Sequence, residues 1–149
     1  MNKMNDLQVT SLQELQYDIH ENNVKAGWWT DLDSGLDLVQ QARHGTRLGK
    51  AIVAEKLCLI HSEISEAMEG ARKGLMDSHL THRKMIEVEI ADAIIRALDL
   101  CGALDLDVAK AIAEKLEYNG KREDHKIENR TREGGRPIVT GKQIGRAHV

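Results

Sequence analysis

The sequence predicts an all-α protein: a helical bundle of about four main helices, with an acidic metal site between the second and third long ones. Three observations carry this. Apolar residues recur at three- and four-residue spacing over long stretches. Those stretches are bounded by Ser, Asp, Asn and Gly at positions that suit helix caps. Alternating apolar and polar runs of the strand type are almost absent.

Ser11-Leu-Gln-Glu14 has the capping-box pattern, so a first helix is expected to start there, with Leu12, Leu15 and Ile19 as its apolar stripe. Asn22, Asn23 and Gly27 end it before Trp28 and Trp29. Thr30-Asp-Leu-Asp-Ser-Gly35 reads as a turn, and Leu36 to Ala42 as a short helix before the His44-Gly45 break. A long helix follows from about Leu48 to Arg72. Val53, Leu57, Ile60, Ile64 and Met68 form one stripe on it, and Ile52, Leu59, Glu63, Glu66 and Gly70 a neighbouring one. Asp77 or Ser78 is the expected cap of the next long helix, which carries Ile86, Ile90, Ala93, Ala97 and Cys101 on one side and ends near Gly102. Met85, Val88, Glu89, Asp92, Ile95, Arg96 and Asp99 share its other side. A helix apolar on two sides needs cover on two sides, which predicts a homo-oligomer, most simply a dimer with these two long helices at its centre. Asp105 or Asp107 caps a last helix through Ala109, Ile112 and Leu116, stopped at Asn119-Gly120.

Composition narrows the function. At 149 residues the chain suits one domain, assigned to residues 1–136. Its 41% hydrophobic and 30% charged content excludes a disordered or membrane-embedded protein. No apolar run is long enough to span a bilayer and Met1-Asn-Lys-Met-Asn-Asp6 lacks a signal-peptide core, so a cytoplasmic location without membrane partners is expected. The net charge of -3 gives no global reason to bind nucleic acid. Cys58 and Cys101 lie within predicted helices and outside any C-x-x-C pair, which reads as two reduced packing residues. Ile144-Gly-Arg-Ala-His-Val149 resembles the in-frame translation of a common sequencing-adapter oligonucleotide, so residues 137–149 are expected to be a non-native or disordered tail. An intact genomic clone encoding this ending would refute that expectation.

The chemistry concentrates in two tetrapeptides, Glu63-Ile-Ser-Glu66 and Glu89-Ile-Ala-Asp92. Residues three apart on a helix are neighbours, so each presents two carboxylates, and two such helices laid together converge four. Like charges at close range oppose folding unless a cation intervenes. Oxygen donors without His or Cys favour Mg²⁺, with Mn²⁺ as a substitute, and a Mg²⁺ so held keeps positions open for water and phosphates. The plainer alternative is two solvated helix faces, with Asp92 pairing with Arg96 four residues on. Glu69 drifts towards the solvent side. Glu-x-x-His pairs, which a di-iron bundle needs, are missing from both helices.

Leu59-Ile-His-Ser-Glu-Ile-Ser-Glu-Ala-Met-Glu69, Glu87-Val-Glu-Ile-Ala-Asp-Ala-Ile-Ile95 and the downstream Lys115, Asn119 and Arg122 together resemble the MazG-like nucleotide pyrophosphohydrolases. These are all-α NTP pyrophosphatases that include dimeric dUTPases. The resemblance runs from about Gln13 to Gly135. It implies hydrolysis of a nucleoside triphosphate to the monophosphate and pyrophosphate, with Glu63, Glu66, Glu89 and Asp92 as metal ligands and catalytic acids. Glu66 is the candidate base for an attacking water. It also gives Lys115, Asn119 and Arg122 a role in contacting phosphate, where helix termination alone would otherwise account for them. Trp28 and Trp29 stand out in a chain with no Phe and 3% aromatic residues. They suit either packing at a helix end or a stacking wall for a nucleobase, with Asn23 and Lys25 nearby. His20 and His61 read as partly exposed helix residues, and His125 as a distant phosphate neighbour. The rival reading is a non-catalytic helical oligomerisation module with a degenerate acidic site.

Overall fold

The computed structural model describes residues 3–122, and among them every regular element is a helix. Helix α1 spans Asp6–Lys25, α2 Leu38–Arg43, α3 Arg47–Lys73, α4 Met85–Ala103 and α5 Val108–Lys121. The expectations for His125 and for the tail fall outside the described residues. No helix among them is long and apolar enough to cross a membrane.

The cap of helix α1 lies six residues before the expected Ser11. Asn5 caps it: its side chain accepts from the Gln8 amide and Gln8 Oε1 accepts from the Asn5 amide, both at 2.9 Å. Asn and Gln fill a capping box as well as Ser and Glu do, and nothing between Asp6 and Thr10 breaks a helix, so the upstream box prevails. The expected stripe is also incomplete, because Leu15 is exposed. The contact face of α1 is partly polar, with Gln16 Nε2 donating to Leu106 O at 2.9 Å and Gln13 Nε2 to Asp107 Oδ1 at 3.0 Å. Asp107 in turn caps α5 through the Lys110 amide. The Lys110 and Gln13 donors hold its carboxyl down at about 2.

Thr46 caps α3, and Gly74 ends it in the left-handed conformation at φ 66°. The third long helix does not begin at Asp77 or Ser78. Asp77 instead caps a turn, accepting from the amides of His79 and Leu80, and the chain folds back so that the Met85 amide donates to Leu75 O. With residues 77–84 spent on that turn, α4 starts at Met85 without a side-chain cap.

Helices α3 and α4 make the most extensive packing, α1 lies against α4, α2 against the start of α3, and α5 against α1. Small residues set the close approaches. A Cβ on Gly49 would stand 2.1 Å from Gln41 O, and one on Gly70 would stand 2.9 Å from Met85 Cβ. The core gathers Trp29, Ala42, Ile52, Leu100 and Ala103, flanked by Leu38, Val39, Val53, Ile60 and Leu104. Cys58 is exposed, contrary to its expected packing role.

Candidate metal centre and adjoining cavity

The acidic tetrapeptides meet because the α3–α4 seam is lined by small side chains. Ala67 and Gly70 on α3 and Ala93 on α4 are buried, so the two backbones come close and the carboxylates between them are drawn inward. Glu63 and Glu89 are 6% and 8% exposed, far below what unpaired acids tolerate. Glu63, Glu89 and half-buried Asp92 each offer an oxygen, all within 4.8 Å of one another. Burial pushes the Glu89 carboxyl up to about 7, reinforced by a hydrogen bond with Glu63 and by the charges of Glu66, Glu63 and Asp92. Three hard oxygen donors, two of them buried, form a set that can hold a cation.

Glu66 stands apart from this trio and is exposed. Three residues at 3.6 per turn carry it about 60° around α3 from Glu63, enough to leave the seam. Its charge still reaches Glu89. Glu69 faces solvent and pairs with Arg72 and Lys73. Arg96 does not pair with Asp92, its neighbour along α4; its Nε crosses to Glu63 Oε1 at 2.8 Å.

Beside the trio lies a cavity of about 420 Å³. Asn23 and Trp28 form one side, Lys56 and Leu59 of α3 another, and Asp92, Ile95, Arg96 and Asp99 of α4 the rest. Asp92 therefore belongs to both the acidic trio and the cavity wall. The two tryptophans divide the roles weighed for them: Trp28 is 67% exposed at the cavity, and Trp29 is 2% exposed and packed in the core.

Trp29 sits in a buried polar network that the sequence did not disclose. Its Nε1 donates to both oxygens of Asp99, at 2.9 and 3.1 Å, and His20 Nδ1 lies 2.8 Å from Asp99 Oδ1. The His20 ring meets Trp29 edge-on with centroids 5.7 Å apart. Lys56 Nζ lies 4.5 Å above the Trp29 ring and donates to Trp28 O at 3.2 Å, a cation–π contact that also pins the connector after α1. One signal for Asp99 was present: a carboxylate inside Ala97-Leu-Asp-Leu-Cys101, an otherwise apolar run, demands buried partners.

The remaining expected residues lie elsewhere. Lys25 is exposed, pairs with Glu21 and is not on the cavity wall. Lys115, Asn119 and Arg122 belong to α5 and its end, which pack on α1, and none of them lines the cavity. Lys115 Nζ instead rests 4.7 Å over the Tyr118 ring. Comparison with family models, with curated proteins and with solved structures finds no match in any of the three.

Proposed function

We propose that the protein is a Mg²⁺-dependent nucleoside triphosphate pyrophosphohydrolase of the MazG-like type, releasing a nucleoside monophosphate and pyrophosphate. One observation carries the reading: the Glu63–Glu89–Asp92 trio shares Asp92 with a cavity that also offers an exposed indole, an amide and two cations. An all-oxygen trio fits Mg²⁺ or Mn²⁺ better than a softer metal. When bound, such an ion supplies charge neutralisation for phosphate oxygens and acidifies water.

The chain's own groups supply the rest. Glu63, Glu89 and Asp92 would hold the ion, and Glu66, outside the trio but on the adjoining turn, would accept the proton of an attacking water. Trp28 offers a face for a nucleobase, and the Asn23 amide offers both a donor and an acceptor to its edge. Trp29 supports this wall from beneath, tied to Asp99. A homo-oligomer belongs to the reading, because Leu57, Ile64 and Met68 on α3 and Ile90 and Ile94 on α4 are left exposed. Assembly is also the route by which Lys115, Asn119 and Arg122 would meet a phosphate, since they do not line the cavity of their own chain.

A second reading has its own support. Arg96 already neutralises Glu63, and the raised Glu89 carboxyl holds a proton near neutrality, which suits a helical oligomerisation module with merely structural acids. Pyrophosphate release from a panel of ribo- and deoxynucleoside triphosphates, with Mg²⁺, Mn²⁺ or EDTA, separates the two. The enzyme reading expects metal-dependent release, reduced about a hundredfold or more in Glu63→Gln. A folded protein that releases nothing and whose melting temperature ignores Mg²⁺ and Mn²⁺ is the module instead.

A further inference from the structure

Arg96 and Lys56 are the two cations on the cavity wall, and they are held in different ways. The Arg96 side chain is 44% exposed while the side chain of its partner Glu63 is 9% exposed, so the pair joins a buried acid to a half-solvated base. Its Nε is the atom nearest to Glu63, 2.8 Å from Oε1, and the side chain also stands on the cavity wall. Lys56 has no carboxylate partner among them and rests on the Trp28 carbonyl and the Trp29 ring. A side chain stored on a carbonyl and an aromatic face keeps its charge available to an anion.

Glu63 is claimed twice, by Arg96 and by any cation the trio holds. Two positive groups compete for one carboxylate, so seating a divalent ion loosens the guanidinium. Arg96 then presents a planar fork of donors, suited to two phosphate oxygens at once, on the wall it shares with Lys56.

We infer that Arg96 is a transferable counter-ion: it neutralises Glu63 while the trio lacks its cation, and together with Lys56 binds the phosphate of the ligand once the cation is seated. This rests on the metal-site reading above. It makes the cavity's own α3 and α4 side chains the phosphate-binding edge, and it couples anion affinity to cation occupancy. A permanent Arg96–Glu63 strut, the alternative, predicts the opposite response to mutation, since its loss would leave Glu63 less well placed to bind metal.

The test titrates the full chain calorimetrically, first with Mn²⁺ alone and then with inorganic pyrophosphate in the presence and absence of saturating Mg²⁺. Arg96→Gln should bind Mn²⁺ about fivefold more tightly, the scale of a half-exposed ion pair removed from competition. It should bind pyrophosphate about tenfold more weakly. Arg96→Lys keeps the competing charge without the fork, so its Mn²⁺ affinity stays near wild type while pyrophosphate still weakens. Lys56→Gln should weaken pyrophosphate and leave Mn²⁺ within about twofold. Thermal melts by circular dichroism establish that each variant is folded. Wild-type protein that binds no Mn²⁺ removes the metal reading and this inference with it. Wild-type Mn²⁺ binding that stays the same or weakens in folded Arg96→Gln, or pyrophosphate affinity indifferent to Mg²⁺ or to both substitutions, overturns the inference alone.

Discussion

Trp29, in the connector after α1, donates its indole N–H to both carboxylate oxygens of Asp99 on α4, joining positions 70 residues apart in the chain. Asp99 also takes His20 of α1, so one buried carboxylate ties α1, the connector and α4 together. Removing it strands the buried Trp29 donor and the part-buried His20 one. Asp99→Ala should cost about 3 kcal/mol, and Asp99→Asn, which keeps the shape and one acceptor, roughly half of that. Urea denaturation followed by tryptophan fluorescence reads both. In Trp29→Phe/Asp99→Ala one of the stranded donors is gone, so the combined loss should fall short of the sum of the single losses by about 1 kcal/mol. Additive losses would show that the bond does not hold the connector.

Glycine-to-alanine changes should reverse their usual sign here. In a helix interior alanine is ordinarily favoured over glycine by about 1 kcal/mol. At Gly102, however, an added Cβ would stand 2.6 Å from His20 Cβ, and at Gly49 it would stand 2.1 Å from the Gln41 carbonyl oxygen. Overpacking of that kind costs about 1–3 kcal/mol. Both variants should therefore melt lower than wild type, and Gly102→Ala should additionally red-shift the emission of Trp29 by displacing His20. Equal or higher midpoints would contradict the close packing of α1 on α4 and of α2 on α3.

How much of this was legible in the sequence depended on how local the cause was. The long helix α3 was readable to within a residue at each end, because its apolar periodicity is contained in the segment. The start of α4 was not: Asp77 carries a valid capping side chain, but it caps a turn that closes only because Leu75 and Met85 meet. The acidic trio was legible as a pattern, since helix geometry alone aligns each pair. Glu66's exposure was not, because it depends on how α3 is rotated against α4. The Asp99–Trp29–His20 network joins α4 to residues 70 and 79 positions earlier in the chain, and nothing but the tertiary fold puts them together.

The Glu89 carboxyl gives a pH dependence with a definite sign. It is raised from an ordinary glutamate to about 7, chiefly by burial. A group raised in this way favours folding below its unfolded pKa, and that contribution is lost as the pH climbs through the folded value. The metal-free protein should therefore lose stability between about pH 4.5 and pH 8, and Glu89→Gln should flatten the slope. A bound divalent ion needs the carboxylate ionised, so Mg²⁺ affinity should rise over the same interval and each binding event below about pH 7 should release protons. Calorimetry in buffers of different ionisation enthalpy measures that release. A pH-independent Mg²⁺ affinity would place the ion away from Glu89.

The exposed apolar stripe of α3 supplies the last prediction. Leu57, Ile64 and Met68 fall on one side of the helix and are 47%, 51% and 69% exposed, and Ile90 and Ile94 lie one turn apart on α4 at 43% and 53%. Single exposed apolar residues are ordinary, but aligned runs on both central helices mark a face that another surface covers. Burying such side chains yields about 1.5–3 kcal/mol each, enough that a few of them drive association. Sedimentation of wild type should show a dimer or larger assembly at micromolar concentration. Ile64→Glu or Met68→Lys should shift it to monomer while leaving the helical circular dichroism signal unchanged, because neither side chain belongs to the core of its own subunit. If these variants sediment as wild type does, or if wild type is monomeric, the stripe is not an oligomer interface. Any phosphate role for Lys115, Asn119 and Arg122 across subunits would then fall with it.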